Sequence, residues 1–138
     1  MDKNYYITTP IYYVNDKPHI GHAYTSIACD VLARFKRLDG YSVKFLTGTD
    51  EHGQKVEKAA KSQNKSPLEY ANFISKDFKS LTKTLNLSND DFIRTTEKRH
   101  ILAAQSLWSK LYENKHIYLD KYAGWYALRD EAFYSEKE

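Results

Sequence analysis

Ile20-Gly21-His22-Ala23-Tyr24-Thr25-Ser26-Ile27-Ala28-Cys29-Asp30-Val31-Leu32-Ala33-Arg34-Phe35-Lys36-Arg37-Leu38 is the stretch that decides the fold. Apolar residues recur at Ala23, Ile27, Ala28, Val31, Leu32, Phe35 and Leu38. Those are helical intervals, so the spacing predicts a helix over 20–38 with one buried face. Gly40 follows where a helix C-terminus favours it. Upstream, Tyr5-Tyr6-Ile7-Thr8-Thr9 is β-branched and aromatic and stops at Pro10, which predicts a buried strand. Residues 11–19 read as a loop, with turn chemistry at Asn15-Asp16 and Pro18 holding Lys17 away from helix. Downstream, Ser42-Val43-Lys44-Phe45-Leu46-Thr47 reads as a second strand. Strand, helix and strand make a parallel βαβ unit, hence an α/β fold.

In open parallel sheets ligands bind outside the carboxyl ends of the strands. Loops 10–22 and 48–53 are therefore expected to share one crevice. His19 and His22 flank Gly21 at the predicted helix start, where ring nitrogens and unpaired backbone N–H groups can meet a phosphate. Gly21 has no Cβ, which allows a nucleotide close to the backbone. The competing reading is a pair of packed or surface histidines. A zinc pair is disfavoured, because zinc takes three or four ligands and the chain has no cysteine pair or His-Glu-x-x-His. In Asp50-Glu51-His52, Asp50 either holds a ligand ammonium at the strand end or caps the helix after Gly53. Asp30 and Arg34, four apart, read as a weak surface pair. Trp108 and Trp125 read as core residues rather than ligand stackers. Gly-x-Gly-x-x-Gly, Gly-Lys-Ser/Thr and Gly-x-Ser-x-Gly are absent, which argues against dinucleotide dehydrogenases, P-loop enzymes and nucleophile-elbow hydrolases.

The rest reads as mainly helical. A short helix is expected over 54–63. Ser66-Pro67-Leu68-Glu69 is a capping box with proline at the first helical position, opening a helix with Ala71, Ile74, Phe78, Leu81 and Leu85 on one face. Asn89-Asp90-Asp91 breaks it. Thr95 or Thr96 is expected to cap a further helix that buries Ile101, Ala104, Trp108 and Leu111. From Ile117 on, Tyr118, Tyr122, Trp125, Tyr126 and Phe133 suggest short strands.

The 138 residues suffice for a core of their own. Lys+Arg 21 against Asp+Glu 18 gives a net charge of +3, interspersed, which does not by itself call for nucleic acid. Cys29 is the single cysteine, so an intrachain disulfide is excluded and a reducing compartment is favoured. It is expected to be a small buried residue. An apolar signal core and a long spanning run are both absent, so a cytoplasmic location without a membrane partner is expected. The two Asn-x-Ser triplets at Asn64 and Asn86 are then read as chance.

Taken together, the residues resemble a known family. Thr8-Thr9-Pro10-Ile11-Tyr12-Tyr13-Val14-Asn15-Asp16-Lys17-Pro18-His19-Ile20-Gly21-His22-Ala23-Tyr24 is similar to the first signature of the class I aminoacyl-tRNA synthetases, in its methionyl version. Phe45-Leu46-Thr47-Gly48-Thr49-Asp50-Glu51-His52-Gly53-Gln54-Lys55, Asp91-Phe92-Ile93-Arg94-Thr95-Thr96 and Gly124-Trp125-Tyr126 resemble further blocks of that branch. The resemblance implies the first half of a Rossmann-like nucleotide-binding fold over 1–116 and the start of an inserted connective domain over 117–138. It implies activation of methionine by ATP to methionyl-adenylate, then transfer to tRNA(Met), with magnesium on the phosphates. His19 and His22 are the implied catalytic residues. With Gly21 they also bind ATP. Ile11, Tyr13 and Asp50 bind methionine.

Two departures accompany the resemblance. The family's Lys-Met-Ser-Lys-Ser loop is absent, which implies a piece that does not complete aminoacylation alone. The Cys-x-x-Cys that opens a zinc knuckle in some members is replaced by Ala127 and Asp130, so no zinc is expected in this segment. The alternatives are another class I synthetase, a nucleotidyltransferase sharing His-x-Gly-His, or a nucleotide-binding module without chemistry.

Overall fold

Four parallel strands carry the first part of the fold: β1 (Asn4–Thr8), β2 (Tyr12–Tyr13), β3 (Ser42–Asp50) and β4 (Asp91–Arg94). Leu46 of β3 pairs with both Thr8 and Asp91, and Thr49 with both Tyr12 and Arg94. β1 and β2 therefore lie end to end along one edge of β3, and β4 lies along the other. Pro10, which has no N–H to give a ladder, falls in the break between β1 and β2. The computed structural model describes residues 3–137. They form two compact units, the first ending at Ile101 and the second beginning at Leu102.

The parallel α/β reading holds, with three differences in detail. β2 lies inside the stretch expected as loop, and β3 runs on through Gly48-Thr49-Asp50. Both follow from pairing: Tyr12 and Tyr13 lie opposite Thr49 and Asp50, and the Val14 N–H donates to the Asp50 carbonyl at 3.2 Å. β4 starts at Asp91, the last residue of the expected break. The Asp91 carboxylate accepts from the Phe92 N–H at 2.8 Å and pairs with Arg99 at 2.5 Å, so a turn-forming residue here anchors a strand.

α1 spans Ile20–Leu38, as its periodicity predicts. The face that is buried, however, is Ala23, Ser26, Asp30 and Ala33. Small side chains let the helix lie close to the sheet. The larger apolar stripe is exposed, Val31 to 61% and Leu38 to 89%, because nothing among the described residues covers it. Cys29 is half-buried rather than buried, and desolvation pushes its thiol up.

Asp30 and Arg34 are more than a surface pair. The Asp30 carboxylate accepts from Arg34 Nε at 2.7 Å and from both the N–H and the hydroxyl of Ser88 at 2.6 Å. Arg37 adds bonds to the Ser88 hydroxyl at 2.6 Å and to Asp90 at 3.0 Å. The connection into β4 is thus clamped onto α1. Burial pushes the Asp30 carboxyl up, but the Ser88 and Arg34 bonds outweigh it and hold the group below its ordinary value. A depressed carboxylate stabilises the fold above its unfolded pKa of about 3.9 and loses that contribution as pH falls through the folded value. Asp30→Asn is expected to lower stability by about 1.5–3 kcal/mol at pH 7. The gap to wild type should close below about pH 4, read by urea unfolding at each pH.

α2 (Gln54–Ser62) and α3 (Pro67–Thr84) follow β3. The Ser66–Glu69 capping box forms as expected: the Ser66 N–H donates to Glu69 Oε2 at 2.9 Å and the Glu69 N–H to Ser66 Oγ at 3.3 Å. Val56, Ala60, Tyr70, Ala71, Ile74 and Phe78 of these helices pack with Tyr12 and Val14 into one core.

α4 spans Lys98–Glu113, and neither threonine caps it. Glu97 precedes the helix and its carbonyl takes the first amide bonds, while Thr95 and Thr96 bond to Glu51. α4 has no buried residue, and Trp108 is 66% exposed, so its expected buried face is uncovered here.

In the second unit β5 (Trp125–Ala127) and β6 (Ala132–Tyr134) form an antiparallel hairpin. The aromatic run at 117–122 is irregular rather than strand. Tyr122 and Tyr126 pack on Phe133 at 5.1 and 5.0 Å, while Trp125 is 73% exposed and not core. No helix among the described residues is long and apolar enough to cross a membrane.

Candidate nucleotide and amino-acid site

A helix start ordinarily uses Ser, Thr, Asp or Asn as its cap. α1 uses two histidines. His19 is the N-cap, and its Nδ1 accepts the Gly21 N–H at 3.1 Å. His22 Nδ1 accepts the His19 N–H at 3.0 Å, closing a reciprocal capping box. A ring nitrogen that accepts a backbone N–H presents a lone pair, so the other nitrogen, Nε2, carries the proton in each neutral ring. The two Nε2–H groups are therefore free to serve as donors. The first turn of α1 contains no acidic residue, and the positive end of its dipole stays uncancelled.

The two rings lie against each other, tilted by 34°, with centroids 3.9 Å apart. The His22 ring meets Tyr12 edge-on at 4.9 Å and Phe78 edge-on at 5.1 Å. Tyr12 is itself pinned by a 2.7 Å bond to Ser26 and by stacking on Phe78. Burial, then the neighbouring His19, pull the His22 pKa down and keep this ring uncharged at neutral pH. Gly21 makes the cap possible, since a Cβ there would lie 2.9 Å from the His19 ring.

β2 links the two sides of the site. Successive strand residues point to opposite faces. Tyr12 meets His22, while the Tyr13 hydroxyl lies over Gly53, where a Cβ would stand 2.1 Å from it. Gly53 also has φ +107°, a conformation that disfavours any other residue. Tyr13 pairs in register with Asp50. Ile11, in the irregular segment before β2, is 41% exposed. Asp50 is not the cap of α2: Gly53 occupies that position and no side chain bonds there. Among the described residues the half-buried Asp50 carboxylate has no side-chain partner.

Glu51, next in the chain, is the opposite case. Its side chain is fully buried and pairs with Arg94 through two bonds, Nε to Oε1 at 2.7 Å and Nη2 to Oε2 at 2.8 Å. Thr49 donates to Oε1 at 2.7 Å, and Thr96 donates to Oε2. His52 is exposed, with Nε2 3.4 Å from the Thr95 carbonyl.

His19, Gly21 and His22 thus cluster at one helix start. Tyr13 and Asp50 cluster at the strand ends beside it, joined through Tyr12. Sequence reasoning did not assign the Tyr12–Phe78 support, the Gly53–Tyr13 contact or the Glu51–Arg94 pair. Tyr12, Gly53 and Arg94 all sit inside the quoted blocks, which was the available signal.

A profile of the tRNA synthetases class I (M) matches residues 5–138. The chain is 62% identical to the methionine–tRNA ligase of Rickettsia bellii over 138 residues, all of this chain and 27% of that protein. It is 53% identical to the methionine–tRNA ligase of Bacillus subtilis, over 99% of this chain and 21% of that one. The structure of Mycobacterium tuberculosis methionyl-tRNA synthetase with methionyl-adenylate superposes with a TM-score of 0.93 at 51% identity, over 99% of this chain and 27% of that chain. A leucyl enzyme of Agrobacterium radiobacter, in a ternary complex with tRNA, matches with a TM-score of 0.77 at 26% identity, over 94% of this chain and 17% of that one. The chain spans about a quarter of the length of the first of these relatives.

Proposed function

Because the chain belongs to the class I (M) tRNA synthetases, we propose that these residues form the nucleotide and amino-acid side of a methionine–tRNA ligase. The reaction is ATP-dependent formation of methionyl-adenylate and transfer of the methionyl group to tRNA(Met), in the cytoplasm. The observation that carries the reading is the histidine capping box, with two Nε2–H donors at a positive helix end, together with the Asp50 carboxylate, which has no side-chain partner among the described residues. The methionyl-adenylate held by the M. tuberculosis relative supports it.

In the proposed mechanism Asp50 takes the methionine ammonium, and Tyr13 and Ile11 shape the side-chain pocket. The methionine carboxylate oxygen forms a bond to the α-phosphorus of ATP as the bond to the leaving pyrophosphate breaks. His19 and His22 donate to the phosphates as negative charge shifts toward that leaving group, and Gly21 leaves room for the nucleotide. The 3′-terminal ribose hydroxyl of the tRNA then attacks the adenylate carbonyl, and AMP departs. Orientation and fixed dipoles supply the rate, with no covalent protein intermediate. Among the described residues no cluster of three or more His, Cys, Asp or Glu could hold a metal ion. Magnesium is therefore proposed to arrive on the ATP phosphates, as part of the substrate. No zinc is proposed for residues 117–138, where Ala127 lies in β5 and the Asp130 carboxylate accepts from the Tyr134 hydroxyl at 3.2 Å.

Amino-acid-dependent ATP–pyrophosphate exchange tests the reading. The full-length protein carrying these residues should exchange with methionine and not with leucine, isoleucine, valine or cysteine. Residues 1–138 alone should not exchange. A preference for another amino acid, or ATP binding with no exchange, would overturn the assignment.

A further inference from the structure

We propose that the Glu51–Arg94 ion pair, its carboxylate fully buried and its guanidinium partly exposed, is a positioning brace for the amino-acid side of the site, setting affinity for methionine without touching it. This rests on the function proposed above. Removing two charges from water costs several kcal/mol per ion, and such pairs add little net stability over apolar residues of the same volume. What the pair supplies is geometry. The Arg94 fork grips both Glu51 oxygens, and its Nη2 also reaches Asn72 of α3 at 2.6 Å. Thr49 and Thr96 fill the remaining acceptor sites, and the Glu51 N–H donates to Thr95 Oγ1 at 2.9 Å. The end of β3, the end of β4 and α3 are thereby tied at one residue.

That residue stands between Asp50 and Gly53, the two chain positions set against Tyr13. Asp50 immediately precedes it. Gly53, two residues on, carries the φ of +107° and lies under the Tyr13 hydroxyl with no room for a Cβ. A shift of the chain at Glu51 moves Asp50 and Gly53 together relative to Tyr13. The histidine side of the site, on α1, is held by its own cap and by Tyr12 and Phe78, none of which bonds Glu51 or Arg94 directly.

Arg94→Lys keeps the charge and loses the fork. Thr96→Val removes one hydrogen bond at nearly constant shape. Both are measured in the full-length protein by ATP–pyrophosphate exchange and thermal unfolding. The methionine KM should rise about tenfold in Arg94→Lys and about threefold in Thr96→Val, with the ATP KM and kcat within about twofold of wild type. A lowered unfolding temperature with an unchanged methionine KM would overturn the brace, leaving the pair a purely structural one. Where Arg94→Lys does not fold, Thr96→Val decides by the same split. A wild-type protein without methionine-dependent exchange would instead overturn the function on which the brace rests.

Discussion

His22→Ala is expected to lower methionine-dependent ATP–pyrophosphate exchange by about 10²–10³-fold, the loss typical for one preorganised donor to a charged transition state. The ring does two things. Its Nδ1 caps α1 by accepting the His19 N–H, and its Nε2–H is left as a donor. His22→Asn separates them. An asparagine oxygen can accept the His19 N–H and keep the cap, but the side chain is too short to replace Nε2–H. Both variants should lose the rate, while Asn should keep more of the thermal stability. A wild-type rate in His22→Asn would reduce His22 to a capping residue. The pH profile gives a second reading. Burial and His19 lower the His22 pKa, so the uncharged donor persists below the ordinary value of about 6.5. A protonated ring keeps Nε2–H but can no longer accept the His19 N–H at Nδ1, so the cap, followed by thermal unfolding, should weaken as pH drops below that value.

Gly48→Ala is expected to be the most destabilising small change in the sheet. A Cβ at Gly48 would stand 2.0 Å from the Ile93 carbonyl oxygen and 2.7 Å from Ile93 Cγ2. The obstacle is backbone, which cannot swing aside like the end of a side chain. β4 must move away from β3, straining the register from Leu46↔Asp91 to Thr49↔Arg94. Overpacking usually costs about 1–3 kcal/mol, and backbone displacement puts this case at or beyond the upper end. Urea unfolding measures it. A shift under about 1 kcal/mol would show that the strands relax without cost. Because Arg94 rides on β4, the methionine KM should also rise in whatever protein remains folded.

Regular local pattern is what made parts of this molecule legible. α1 and the Ser66–Glu69 cap follow from spacing alone, and both appear where expected. β2 and β4 were hidden because each is short and begins beside turn-forming residues, its strand character coming from β3. The histidine cap was hidden because imidazole is outside the usual capping vocabulary. Glu51 and Arg94 stand 43 residues apart, with no period to join them. Periodicity also marked an apolar face on α1 correctly but could not say that it would lie uncovered here. Small residues at Ala23, Ser26 and Ala33 occupy the buried side. Clustering of His19, Gly21 and His22 was visible in the sequence. That Tyr12 props the second ring from behind needed the structure.

The imidazole cap on α1 also describes a compromise. An aspartate or serine at position 19 and glutamates in the first turn would make a better helix, by about 0.5–2 kcal/mol for the cap and 0.3–1 kcal/mol per favourable charge. Each such carboxylate would neutralise the helix end and repel a polyphosphate. Selection for thermal robustness alone would therefore erode this segment's affinity for anions. Stabilising substitutions sought for this protein belong elsewhere.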